Sequence, residues 1–245
     1  MKNSLLKLIG TAVVALLFTL SLNAQNNETF DLVFVDHLTA GMIEQDVYVE
    51  KLEGSCEVYR VLPQDREKYL DAELFSTQEA QAHDPITADK AGPYRKGESL
   101  GMTLREWLSA KGGVSYVCED GWGVVKASFE NLRPNATYTM WHAFMAKPPT
   151  QPFTGFLDLP MGDRDGSQSV FTTDENGIAK FEVRFETCLQ MTARQTAALL
   201  AIAYHSDGKT YGVLPGPFGK ATHVQLFTML PEEKDVDSNL VSKGK

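Results

Sequence analysis

The chain has 245 residues, with 23 Lys and Arg against 32 Asp and Glu, a formal net charge of −9 at pH 7. That acidity keeps the protein soluble and argues against nucleic acid and anionic membrane surfaces as partners. The length suits one large domain, or one domain with a substantial extension, around a sizeable core.

Residues 1–24 read as a secretory signal peptide. Lys2 and Lys7 give the positive start, an apolar run covers 8–22, and Ala24 supplies the small residue before the cut. The run is shorter than the ~20 apolar residues of a spanning helix. The expectation is an exported protein, periplasmic or extracellular, with no membrane anchor after cleavage.

Residues 25–113 are expected to form an N-terminal α/β extension, built from strands and a polar, helix-containing insertion. Strand-like runs cover 30–35, 46–50 and 56–61, with a turn at Gly54-Ser55 between the last two. Residues 64–82 are rich in Glu, Gln, Ala and Leu and predict a helix, whereas 84–97 have the Pro, Gly and Asp content of a surface loop. Thr103-Leu104-Arg105-Glu106 is a capping box, with Met102 and Trp107 spaced as a hydrophobic staple. This predicts one short capped helix over 104–111, stopped by Gly112-Gly113 in the left-handed conformation.

From 114 to 231 the pattern is β throughout and predicts an antiparallel β-sandwich, followed by a flexible tail over 232–245. Strands are expected at 124–129 and 138–144, flanking a corner at 131–135. Asp174-Glu175-Asn176-Gly177 and Asp207-Gly208 each lie between strand-like runs and read as hairpin turns. The Leu- and Ala-rich run after Thr192 fits either a strand or the start of a helix. Within 138–145, alternation puts Met140 and His142 on one face with Tyr138 and Phe144, and Met145 on the other.

Leu132-x-Pro134-x-x-x-Tyr138 resembles the tyrosine corner of fibronectin type III and immunoglobulin-like sandwiches, in which the Tyr hydroxyl bonds back to the corner backbone. The resemblance implies the architecture only. An immunoglobulin domain has Cys two residues after that Tyr, where this chain has Met140. The run from Tyr204 to Gly212, with Pro215-Gly216-Pro217 and His223, resembles uncharacterised exported bacterial β-sandwich proteins. That resemblance implies export and a sandwich, and no activity.

The cysteines are Cys56, Cys118 and Cys188. An oxidising compartment would join one pair and leave one thiol over. Cys118 with Cys188 is the preferred disulfide because both fall in the sandwich segment, although spacing alone leaves the other pairings open. None lies in a Cys-x-x-Cys pair, which removes structural zinc and thioredoxin-like readings.

For chemistry, His205 at the end of an apolar strand and His223 at the start of the last one predict a shared rim. With Asp207 and His142 they form a candidate shell for copper or zinc. The competing reading has these groups in turns, caps and core hydrogen bonds. Asp163-Arg164-Asp165-Gly166 fails the calcium-loop spacing. No Gly-x-Ser-x-Gly or His-Glu-x-x-His motif occurs, and Ser206 beside His205 points to the opposite face of its strand. Trp122 after the Asp120-Gly121 turn, with Tyr211, is the candidate ligand platform at the loop rim. The leading expectation is a non-catalytic exported protein that binds a small ligand, glycan or protein partner there. The alternatives are metal binding or, less favoured, a metal-dependent hydrolase.

Overall fold

A computed structural model describes residues 28–42, 45–81, 91–146, 157–194 and 196–233. The expected signal peptide and residues 234–245 of the expected tail lie outside the described residues. The chain is mainly β, an antiparallel sandwich with a small four-stranded barrel inserted after its first strand. Its strands are β1 (Glu28–Asp36), β2 (Tyr48–Val49), β3 (Glu57–Arg60), β4 (Glu73–Thr77), β5 (Tyr94–Thr103), β6 (Lys111–Glu119) and β7 (Trp122–Glu130). They continue with β8 (Thr137–Ala146), β9 (Leu157–Pro160), β10 (Val170–Thr172), β11 (Ala179–Glu186), β12 (Thr196–His205) and β13 (Thr222–Met229). One α-helix lies among the described residues, α1 (Leu104–Leu108).

β1 joins the two sheets. Glu28 to Phe34 pair with β6, while Val35 and Asp36 pair with β13. One sheet runs β1-β6-β7-β11, and the other runs β1-β13-β12-β8, with β9 and β10 sharing the far edge of β8. The strand grouped from sequence with the N-terminal extension is thus hydrogen-bonded into the sandwich. β2, β3, β5 and β4 close the inserted barrel around an ion pair, Arg60 to Asp46 at 3.0 Å, both side chains essentially sealed from solvent.

β7 and β11 alternate buried and exposed residues, as a half-solvated sheet requires, whereas β8 and β12 are buried on both faces. On the inner face Tyr138, Met140 and Phe144 join Leu200, Ile202 and Tyr204 in the main core. On the outer face Trp141, Ala143 and Met145 join Leu199, Ala201 and Ala203 in a second apolar cluster. Between the sheets Phe171 stacks on Phe129 at 5.3 Å and meets Phe181 at 5.6 Å, closing one end of the seam.

Several local readings change once the pairing is known. The Asp174–Gly177 turn forms, with Gly177 N–H donating to the Asp174 carbonyl, but its flanking strands do not pair with each other. β10 pairs with β8 and β11 with β7, so the turn carries the chain from one sheet to the other. Likewise β12 finds its partner in β13, after a long loop, rather than in the residues that follow Asp207-Gly208. The helix predicted over 64–82 is replaced by two single 3-10 turns, Pro63–Asp65 and Glu67–Tyr69, and then β4. Leu74 and the neighbouring Ser76 and Thr77 are buried in the barrel, so tertiary burial overrides helix propensity there.

The capping box is present, with Thr103 Oγ1 accepting from Glu106 N–H and Glu106 Oε2 accepting from Thr103 N–H. The helix nevertheless ends at Leu108, and Gly112 and Gly113 are strand residues. Gly112 is small for a packing reason, since a Cβ there would sit 2.5 Å from the Phe129 ring. The tail begins tied rather than loose, with Glu233 N–H donating to the Thr192 carbonyl at 2.7 Å.

Tyr138 closes its corner by accepting from Arg133 N–H at 3.1 Å and donates to Gln225 Oε1 at 3.0 Å. A bulge in β13 against Ile202/Ala203 leaves Gln225 outside the strand register, and its Nε2 donates to the Trp107 carbonyl of α1 at 3.1 Å. Tyr138→Phe leaves a part-buried N–H and a buried amide oxygen without this partner. It is expected to destabilise by about 1–3 kcal/mol, read as a lower urea midpoint at unchanged m-value.

Candidate functional site

β9 and β10 share one edge of β8, and β10 also packs against β11 of the opposite sheet. At the other end the seam opens into a cleft of about 860 Å³ between β9 with its following turn and the end of β11. Leu159, Met161, Asp163 and Arg164 form one wall, and Arg184, Glu186, Thr187 and Cys188 form the other. His142 from β8, Leu189 and Phe185 contribute further lining, with Trp122 and Val213 at the margin. This volume lies within the ~300–1,000 Å³ range of small-molecule sites.

The β11 side is held by several constraints. A disulfide joins Cys118 of β6 to Cys188, with Cα atoms 5.5 Å apart. Leu189 N–H donates to Tyr116 Oη at 2.7 Å. Thr187 sits at φ 84°, a left-handed backbone that a β-branched residue rarely adopts, and its N–H is held by the Gly121 carbonyl at 2.9 Å. Gly123 makes the crossing possible, since a Cβ there would lie 2.7 Å from the Phe185 ring. Cys56 is an exposed free thiol in the barrel.

Trp122 begins β7 at 38% exposure, and the guanidinium of Arg184 lies 4.7 Å from its ring centroid. Cross-strand register explains the contact, because Trp122 faces Glu186 and Val124 faces Arg184, which makes Arg184 the diagonal neighbour of Trp122. Among the described residues neither Arg164 nor Arg184 pairs with a carboxylate. Two cations and two anions, Asp163 and Glu186, therefore surround the cleft with balanced sign. Leu159, Val213 and Trp122 are also among the exposed large apolar side chains, and Leu157 and Leu214 adjoin them in the chain. Sequence reasoning singled out Trp122 but not Arg164, Arg184, Glu186 or Val213, which reach the cleft only through strand pairing and loop path.

His142 donates Nε2–H to the Gln190 carbonyl at 3.0 Å, so Nδ1 is the unprotonated nitrogen. Burial pushes this imidazole down to about 4 despite the favourable carbonyl. It takes no part in the histidine cluster expected from sequence. Thr137, not His142, lies opposite His205, and His142 is five positions further along β8, or about 17 Å at ~3.4 Å per residue.

Nor do His205 and His223 share a face. His223 is paired with Tyr204, which points into the main core, and their rings lie 6.0 Å apart. His205 lies one residue on, on the outer face, where its Nε2 is 2.8 Å from Thr139 Oγ1, the same oxygen that accepts from Trp141 Nε1 at 2.7 Å. His223 is engaged at both nitrogens, Nδ1 with the Asp46 carbonyl at 3.0 Å and Nε2 with Ser206 Oγ at 3.2 Å. Asp207 accepts from Tyr211 Oη at 2.6 Å and from Lys209 N–H at 3.0 Å, closing its own turn. Among the described residues no group of three or more His, Cys, Asp and Glu is placed to hold a metal ion. Tyr211, paired with Trp122 in the sequence reading, is not part of the cleft lining and packs beside His205 at 5.9 Å.

Comparison with protein-family models, curated proteins and solved structures returns no match to this chain.

Proposed function

We propose that this chain is an exported binding protein that takes a small ligand, a neutral glycan in the first instance, in the seam cleft. The observation that carries this reading is Trp122, partly exposed at a cleft of about 860 Å³ whose charged lining is balanced in sign. The indole face turned away from Arg184 and the apolar side chains of Leu159 and Val213 suit the C–H face of a sugar ring. Arg164 and Arg184 offer paired N–H donors, and Asp163 and Glu186 offer paired acceptors, to adjacent hydroxyls. Balanced charge favours a neutral ligand over a polyanion. Export is supported by the N-terminal pattern and by a Cys118–Cys188 disulfide, which persists in oxidising compartments.

The test is a calorimetric and tryptophan-fluorescence titration with a panel of neutral oligosaccharides. At least one is expected to bind saturably, and Trp122→Ala is expected to weaken it about tenfold, the equivalent of ~1.4 kcal/mol of ring contact. Silence across the panel, or a Trp122→Ala variant that binds as well as the wild type, would discard the glycan reading.

A further inference from the structure

We propose that Ser206 is an activated nucleophile, with His223 as its base, and that it takes acyl groups from neutral esters at a site separate from the seam cleft. The alternation that keeps Ser206 away from its neighbour His205 is what places it with His223. Tyr204 faces His223 across β12 and β13, and Ser206 is two positions after Tyr204, on the same face. The contact is 3.2 Å from Oγ to Nε2.

The protonation pattern is the one a base needs. A carbonyl oxygen only accepts, so the 3.0 Å contact between Nδ1 and the Asp46 carbonyl fixes the proton on Nδ1. Nε2 then carries the lone pair and, at 3.2 Å, is the nearer of two acceptors for the single Ser206 hydroxyl proton, the other being the Ala221 carbonyl at 3.5 Å. The Asp46 carbonyl is itself fixed, because its residue is clamped by Arg60 at 3.0 Å and Tyr48 Oη at 2.6 Å. Nucleophile, base and orienting acceptor thus stand in series, each within hydrogen-bond reach of the next.

The surroundings define the substrate class. Ser206 is half-buried, while His223 is fully buried and the turn after Ser206 is exposed, so a reagent approaches from the turn. The N–H of Asp207, the residue after the nucleophile, donates to no group among the described residues and is available to a developing oxyanion. Asp207 carries a carboxylate held below the usual range by Tyr211 and Lys209 against the opposing effect of burial, and that charge disfavours anionic substrates. In the reaction the Oγ–acyl bond forms and the acyl–alkoxy bond breaks. The Oγ proton passes to Nε2 and then to the leaving alcohol, and water later hydrolyses the Ser206 ester by the same base.

The experiment treats the full chain with a neutral dialkyl fluorophosphate, which forms an Oγ–P bond with loss of fluoride, and maps the adduct by peptide mass spectrometry. The expected result is an adduct on Ser206 in the native protein, absent in Ser206→Ala and in urea-unfolded wild type. His223→Gln is expected to slow labelling at least 100-fold, the lower range for loss of a general base. A native protein left unlabelled at Ser206, or a folded His223→Gln variant labelled as fast as wild type, overturns the proposal. Should His223→Gln fail to fold, the native and unfolded wild type decide the matter. An adduct in the native state alone supports the activated pair, and an adduct in both states or in neither refutes it.

Discussion

Acidification from pH 7 towards pH 4 is expected to unfold this protein, and buried histidines are the principal cause. Burial lowers His37, His142 and His205 from the ordinary 6.5 to about 4, and it lowers His223 as well. His37 is the plainest case. It is fully sealed, neither ring nitrogen has a hydrogen-bond partner among the described residues, and the neighbouring Asp36 only partly offsets the loss of solvent.

The direction follows from proton uptake. The unfolded chain takes up these protons as pH falls through about 6.5, whereas the folded chain resists until about 4. The histidine contribution is therefore intact above pH 6.5 and is lost progressively across that window. Each such shift corresponds to roughly 3 kcal/mol at 1.36 kcal/mol per pK unit, so three together, roughly 9 kcal/mol, fall within the 5–15 kcal/mol that holds a typical domain. Urea midpoints followed by circular dichroism at pH 7.5, 6, 5 and 4 should fall steeply, and His37→Leu should flatten the slope. Midpoints that stay level from pH 7.5 to 5 would show that the buried imidazoles are not the acid-labile groups.

Removing the disulfide is expected to have the second largest effect. Cys118 and Cys188 are 70 residues apart, and a cross-link of that span restricts the unfolded chain by about 4 kcal/mol in the chain-entropy account. Cys118→Ser with Cys188→Ser should lower the melting temperature by about 8–16 °C, at roughly 2–4 °C per kcal/mol for a chain of this size. The same change frees the 187–189 segment, where Thr187 is held in its strained conformation beside the cleft. Ligand affinity at the cleft should fall even at temperatures where the variant remains folded. A melt that is unchanged by the double substitution, or by reductant on the wild type, would contradict this account.

The features legible in the sequence are local. The Thr103–Glu106 capping box, the Leu132–Tyr138 corner and the alternation along β8 each rest on groups a few residues apart, whose relation the backbone period sets. The turns at Asp174–Gly177 and Asp207-Gly208 were legible for the same reason, but their partner strands were not. A turn specifies its own backbone angles, whereas a strand pairs with whatever edge the sandwich presents. That β10 and β11 go to different sheets, and that β1 joins those sheets, follows only from how all the strands pack together.

The candidate sites divide along the same line. Trp122 was visible from its turn, but its neighbour Arg184 is 62 positions away and meets it only through the β7–β11 register. His205 and His223 looked like rim partners in one dimension. The pairing of Tyr204 with His223 puts them on opposite faces and gives His223 to Ser206 instead. Side-chain alternation has a period of two, so a one-residue difference in register exchanges the faces of every side chain on a strand. That register is fixed by the packing of all the strands together, which no single stretch of the chain contains.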